Sequence, residues 1–327
     1  MTLIGLDVGG TSMKAALVSA PSGAGAGGDV LLAESWPTDR TDPVGGILDF
    51  AAHMAARADA LGRPARAAGI AVPGIVDEAS GTAVRAANLG WRDVPMLHLA
   101  AERLGVPVAL GHDVRTGGLA EAVLGAGRDA GDFVFVAIGT GIAAALILNG
   151  STYPGVSGWS GEVGHIVVRP GGEDCACGNR GCLETYASAA SIARRYTAHA
   201  TVPAGPASAN AASANGASSN GASSNGASAA RAEDVIARAA TDEVAAQVWS
   251  EALDCLADSL AATTLLLDPG LFVLGGGLAQ AGPALLGPLE SRLADRLKFR
   301  PAPPLAATEL GDQAAVHGAA LLAARLL

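Results

Sequence analysis

Three cysteines fall within eight residues, Cys175-Ala176-Cys177-Gly178-Asn179-Arg180-Gly181-Cys182, with His165 shortly upstream. One imidazole and three thiolates make a closed tetrahedral donor set of the structural zinc type, and Gly178 and Gly181 let the loop fold back on itself. A redox-active or fortuitous cluster is the alternative. Any fold for this chain must therefore bring residues 165 and 175–182 to one point. The fourth cysteine, Cys255, stands alone near Leu253 and Leu256 on a helical stretch and reads as packing.

The metal reading needs reduced thiols. The first residues, Met1-Thr2-Leu3-Ile4, run straight to Asp7 and two glycines, without a basic region, an apolar leader or a cleavage site. The longest apolar runs, such as residues 261–267, are too short to span a bilayer. The expected location is the cytoplasm, without a membrane partner, where disulfides are disfavoured. A net charge of −10 and a pI near 5.0 remove most of the driving force for nucleic acid binding. A phosphate site here has to be built locally, from backbone N–H groups at turns and helix starts.

At 327 residues the chain exceeds what one core usually holds, so two domains are expected. Half the residues are apolar but only 4% are aromatic, and the excess is mostly alanine, which suits helices packed closely on a sheet. The fold class is α/β. Strand-like runs at 3–8, 15–19 and 30–36 precede a helical pattern over 44–61. The pattern repeats with a strand at 67–72, a helix around 97–104, a strand at 106–110 and a helix from about 113. Runs at 133–138 and 143–148 form a hairpin around Gly139-Thr140-Gly141, which echoes the hairpin around Gly9-Gly10-Thr11 and hints at two similar halves. Residues 203–230 are Ala, Ser, Asn and Gly apart from Pro203 and Pro206, with a recurring Asn-Gly-Ala-Ser-Ser, and read as a disordered spacer inserted in a loop. Helices resume near 232 and over 242–266, a buried strand covers 271–274, and a last helix covers about 313–326.

Each glycine turn has a modest reading and a functional one. Asp7-Val8-Gly9-Gly10-Thr11-Ser12-Met13-Lys14 is either a hairpin with permissive glycines or a wrap for a phosphate. The Walker spacing is absent and no helix follows, which argues against a P-loop. The second turn, residues 139–141, favours the phosphate reading, because a nucleotide held in a cleft needs a loop from each side. The third, Gly275-Gly276-Gly277, ends a strand and precedes a helix, where flat rings or phosphates approach backbone closely. With three such turns the chain resembles the actin, hexokinase and Hsp70 ATPase superfamily, in which two related domains close on ATP.

Gly161-Glu162-Val163-Gly164-His165 followed by Cys175-x-Cys177-Gly178-x-x-Gly181-Cys182-Leu183-Glu184 resembles the signature of the ROK family (repressor, open reading frame, kinase). That resemblance covers nearly the whole chain except the insertion. It implies a two-domain ribonuclease H-like actin/hexokinase-type ATPase fold with an interdomain cleft. The domains would be residues 1–113 plus 312–327, and residues 114–311 with the zinc loop (165–184) and the insertion. It implies an ATP-dependent sugar kinase, bacterial glucokinase-like, with Mg²⁺ and structural Zn²⁺, and a homodimer or homotetramer. Glu162, His165 and Glu184 then look like ligands of sugar hydroxyls, His165 also bridging to zinc with Cys175, Cys177 and Cys182. Asn88 and Gly74, otherwise turn residues, match the family's sugar pocket. Asp113, which by residue type alone reads as a helix N-cap, matches the catalytic base. Asp7 matches the aspartate that holds Mg²⁺ through water, and Gly9, Gly10, Thr11, Lys14, Gly139, Thr140, Gly141, Gly275, Gly276 and Gly277 fall in the nucleotide loops.

One position departs from the family. The usual Asn-Asp pair is His112-Asp113 here, so either the imidazole faces the sugar and shifts specificity, or it turns away. Glucose is the first expectation, with an N-acetylated hexosamine or fructose as alternatives. A sugar-responsive repressor of the family would carry a helix-turn-helix before the Asp7 turn, and none is seen. A catalytically inactive sugar sensor is the remaining alternative.

Overall fold

The structure, a computed structural model, describes residues 1–20, 27–200 and 230–327. The spacer expected at 203–230 lies outside the described residues apart from its last one.

The chain opens with β1 (Thr2–Val8) and β2 (Ser12–Ser19), an antiparallel pair, then β3 (Val30–Pro37). Helix α1 (Pro43–Ala60) crosses back to β4 (Ala65–Val72). It starts where the sequence permits: the Asp42 carboxylate accepts from the Gly45 N–H at 2.9 Å, and Pro43 fills a first-turn position that needs no donor. Phe50 and Met54 on its inner face are fully buried, each stabilising the packing by about 1.5–3 kcal/mol. Three short strands, β5 (Ile75–Asp77), β6 (Thr82–Arg85) and β7 (Arg92–Val94), form a small separate sheet before α2 (Met96–Leu104) and β8 (Val108–His112). The first sheet has the order β3-β2-β1-β4-β8.

Helix α3 (Asp113–Leu124) leaves the end of β8 and packs against elements of both halves. The second half holds β9 (Phe133–Ile138), β10 (Ile142–Leu148) and β11 (Ser151–Thr152), then a long irregular segment. Helices α4 (Glu184–Ala187), α5 (Ala189–Ala200), α6 (Ala232–Arg238) and α7 (Glu243–Leu267) follow. Strand β12 (Phe272–Gly275), α8 (Pro283–Arg296) and β13 (Leu305–Ala307) complete a sheet of order β11-β10-β9-β12-β13. The last helix, α9 (Ala314–Ala324), returns to pack on β1 and β4.

The two large sheets are built alike. Each has an antiparallel hairpin closed by a glycine turn, and the first strand of each hairpin pairs in parallel with a later strand, β1 with β4 and β9 with β12. This bears out the echo between the two turns. Two expectations need adjustment. The glycines 275–277 run into a 3-10 turn, Gly277–Ala281, before α8 begins. The small β5-β6-β7 sheet had no counterpart in the reading of the sequence, because strands of three or four half-exposed residues are too short to display alternation.

Candidate active site

The three glycine turns converge. A cleft of about 1170 Å³ is lined by Thr11 and Lys14 of the first hairpin, Gly139 and Thr140 of the second, and Gly277 beyond β12. Its far wall is small: Ala189, Ala190 and Ala193 of α5 face Ala232, Ile236 and Ala237 of α6, with Arg231 and Glu233 also lining it. The alanine excess, read from the sequence only as close helix packing, here leaves room for a flat ring. The first amide of each turn is already committed: the Gly9 N–H donates to the Ser12 carbonyl at 3.0 Å and the Gly139 N–H to the Gly141 carbonyl at 2.9 Å. A phosphate at either turn would meet the tip rather than the Gly9 or Gly139 N–H. Thr38, which no motif flagged, fixes the first tip through its hydroxyl to the Gly9 carbonyl (2.7 Å) and its N–H to the Thr11 carbonyl (3.0 Å). Lys14 Nζ meets Asp312 Oδ2 at 2.6 Å, tying the hairpin to the segment before α9.

Asp113 sits at the start of α3, where the first sheet ends. The cap is not Asp113 but His112: its Nδ1 accepts from the Arg115 N–H at 3.4 Å, while Asp113 Oδ1 accepts from its neighbour Val114 at 2.7 Å. Asp113 thus keeps an oxygen for other work. Burial raises its carboxyl to about 6, opposed by the Val114 N–H and the Arg115 charge, although 29% of the side-chain surface stays exposed. Asp7, at the end of β1, is raised further, to about 7, by burial and then by the nearby Asp113 charge, with Lys14 opposing. Two carboxylates that repel at the same edge of one sheet are what a cation relieves.

This sets a stability prediction. Because the folded pKa of Asp7 exceeds its unfolded value, the native state binds the extra proton, and its stability falls as pH rises from about 4 to about 7. In buffer without divalent cations Asp7→Asn is expected to stabilise the protein by roughly 4 kcal/mol at pH 8 and by nearly nothing at pH 4, read by urea unfolding. A gain that is equal at both pH values would contradict the burial argument.

His112 is buried, and burial followed by the Arg115 charge pushes its pKa down to about 4, so the ring is neutral at pH 7. Its Nε2 has no hydrogen-bond partner among the described residues. A ring neutral at pH 7 offers bulk and a single N–H donor at this position.

The remaining residues approach from the second half. Glu184 opens α4 and accepts from the Ile142 N–H at 2.9 Å; a Cβ placed on Gly141 would stand 2.6 Å from Glu184 Oε2, so this turn needs a glycine to admit the carboxylate. Glu162 Oε2 lies 3.9 Å from His165 Nε2. From the first half, Asn88 Nδ2 comes within 2.9 Å of where a Cβ on Gly10 would lie, placing this side chain over the first turn. Gly74 takes φ +90° at the entry to β5.

His165, Cys175, Cys177 and Cys182 are brought together, their donor atoms all within 4.8 Å of one another. Cys175 Sγ lies 3.7 Å from His165 Nδ1, and Cys177 Sγ lies 3.7 Å from Cys182 Sγ. A tetrahedron with metal–sulfur bonds of about 2.3 Å has edges of about 3.8 Å, so the donor set fits zinc. His165 turns Nδ1 to the thiols and Nε2 to Glu162. The loop is also held without metal: Glu173 accepts from Arg194 (2.6 Å) and Arg195 (2.7 Å), and Arg195 reaches Glu251 of α7 at 2.6 Å.

The ROK family profile matches residues 3–325. The chain belongs to the ROK family. A glucokinase from Halalkalibacterium halodurans is 32% identical, covering 96% of this chain and 92% of that protein. A glucokinase from Streptomyces coelicolor is 30% identical over 98% of this chain and 96% of its own. A xylose repressor from Bacillus subtilis is 41% identical, but over only 37% of this chain and 31% of its own. Among solved structures, a ROK family glucokinase from Streptomyces griseus, in complex with glucose and AMPPNP, superposes with a TM-score of 0.79 at 29% identity, covering 99% of this chain and 100% of that one. The fold of this ROK protein is accordingly the two-domain actin/hexokinase type with a cleft between the domains. No helix among the described residues is long and apolar enough to cross a membrane.

Proposed function

We propose that this chain, a sugar kinase by family and fold, moves the γ-phosphoryl group of ATP to the 6-hydroxyl of a hexose, glucose first among candidates. The observation that carries the reading is Asp113: a carboxylate that opens α3 where β8 ends, raised by burial to about 6, in the half whose first hairpin lines the cleft through Thr11 and Lys14. At pH 7 it is mostly ionised yet basic enough to take the proton of the attacking hydroxyl. The tips around Thr11, Thr140 and Gly277 would face the phosphates, and the alanine wall the base. Asn88, Glu162, His165 and Glu184 would orient the sugar, with Gly74 shaping the pocket and His112 contributing its N–H. Asp7 is the residue suited to hold Mg²⁺ through water; the ion, when bound, spreads phosphoryl charge. Zinc, held by His165 and the three thiolates, would fix the imidazole and take no part in chemistry. The lobes that close would be residues 1–113 plus 312–327 and residues 114–311.

The test is a coupled ADP-release assay with Mg-ATP across glucose, mannose, fructose, allose, N-acetylglucosamine and N-acetylmannosamine. Turnover on one of them is the expected result and names the substrate. A second reading, a sugar sensor without turnover, draws on the stretch shared with the xylose repressors. Sugar binding with no ADP release across the panel would select it and overturn the kinase.

A further inference from the structure

Arg115 is almost fully buried, with 2% of its surface exposed, two residues beyond Asp113. Its Nε donates to Glu78 Oε1 at 2.9 Å, in the turn between β5 and β6, and its Nη1 donates to the Gly158 carbonyl at 3.1 Å, in the loop that leads to Glu162. The same Glu78 oxygen accepts from the His112 N–H at 3.1 Å. One guanidinium thereby joins the small sheet of the first half, the start of the base-bearing helix, and the loop of the second half that presents Glu162.

Packing supplies little of this connection: the Gly158 backbone lies against the Val76 carbonyl, where an added Cβ would stand 2.8 Å from the oxygen, but the space beside that contact is not filled. Between the β5-β6 turn and residues 154–159 lies a cavity of about 430 Å³, bounded by Glu78 and Val84 on one side and Pro154 and Trp159 on the other. Trp159 and Val156 on that loop are largely exposed. The loop is therefore held chiefly by polar ties. A buried cation is costly unless it is paired and hydrogen-bonded, and among the described residues the Nη2 of Arg115 has no partner.

Resting on the kinase reading, we infer that Arg115, anchored by Glu78, is a positioning residue that clamps the Glu162 loop onto the sugar site across the two halves. Its fork geometry lets it hold two acceptors at once, which a lysine ammonium on a flexible stem does poorly. The clamp acts on the sugar side, away from the alanine-walled cleft, so its loss should be felt by the sugar and not by the nucleotide.

The experiment measures sugar KM and ATP KM for Arg115→Met, Glu78→Ala, Glu78→Gln and the double variant Glu78→Ala/Arg115→Met, using the sugar that the wild type turns over. Arg115→Met and Glu78→Ala are expected to raise the sugar KM about tenfold while leaving the ATP KM within about twofold. The double variant should be no worse than Arg115→Met, since both changes open the same clamp. Glu78→Gln, which keeps a carbonyl acceptor, should stay within about threefold of the wild type. Equal rises in both KM values, multiplying effects in the double variant, or a sugar KM unmoved by Glu78→Ala would each overturn the inference. If Arg115→Met does not fold, Glu78→Ala decides, with its fold checked by far-ultraviolet circular dichroism because it leaves the buried Arg115 charge without its carboxylate; should it also unfold, Glu78→Asp, which shortens the tie and keeps the charge, decides by the same rise in sugar KM. If the wild type releases no ADP with any sugar, the kinase reading has failed by itself. The clamp is then judged by calorimetric glucose binding: weaker binding by Glu78→Ala than by wild type sustains it, and equal or absent binding overturns it.

Discussion

Asp113→Asn is expected to lower kcat about 10³-fold with the sugar affinity nearly unchanged. General bases contribute roughly 10² to 10⁴ in rate, and the amide keeps the size of the carboxylate and an oxygen for the Val114 N–H at 2.7 Å. The His112 cap of α3 does not involve the Asp113 side chain, so the helix start should survive. Steady-state ADP release, with calorimetry for sugar binding, reads both quantities. In the wild type kcat/KM should fall about tenfold per pH unit below about pH 6, because protonation removes the base. The acid limb should vanish from the residual activity of the variant. Activity within tenfold of the wild type would remove Asp113 from the role.

Loss of the metal site is expected to have the second large effect. Cys182→Ser, or prolonged chelation, should raise the sugar KM tenfold or more and leave the far-ultraviolet circular dichroism close to that of the wild type. The reasoning separates two supports of one loop. Glu173, Arg194, Arg195 and Glu251 pin its outer part to α5 and α7 without metal. Its inner part, from Cys175 to Cys182, has the thiols and His165 drawn to one point and leads directly into Glu184. Structural zinc contributes to folding where nothing else orders the ligands, so the damage should be local, at His165 and Glu184. One equivalent of zinc per chain by metal analysis is the accompanying expectation. Metal-free protein binding sugar like the wild type would refute the coupling.

Much of the site was legible because its signals are local. A glycine turn between two apolar runs, or four zinc-type donors at fixed spacing, is visible within twenty residues. What escaped is what the fold assembles from afar. Glu78 and Arg115 are separated by a whole crossover, and Lys14 and Asp312 by nearly the full chain. The expected cap at Asp113 differs for a related reason. Residue type favours aspartate as a cap, but β8 runs two residues further than its apolar pattern, to His112, and so puts the imidazole at the capping position. The β5-β6-β7 sheet, whose β5-β6 turn carries Glu78, was invisible for want of length.

Helix α3 holds a wider implication. It carries Asp113 and Arg115 at its start, and at its other end the fully buried Glu121 accepts from the Ala126 N–H at 2.9 Å and the Leu310 N–H at 3.1 Å, and also from the Thr308 hydroxyl. Fastened at both ends and touching both sheets, it is the axle about which the halves would turn. Points on an axle travel least. If Asp113 is the base, it would stay nearly still through a closing stroke, while the turn around Thr140 on the opposite half travels further, so the proton acceptor would be set before the phosphate arrives.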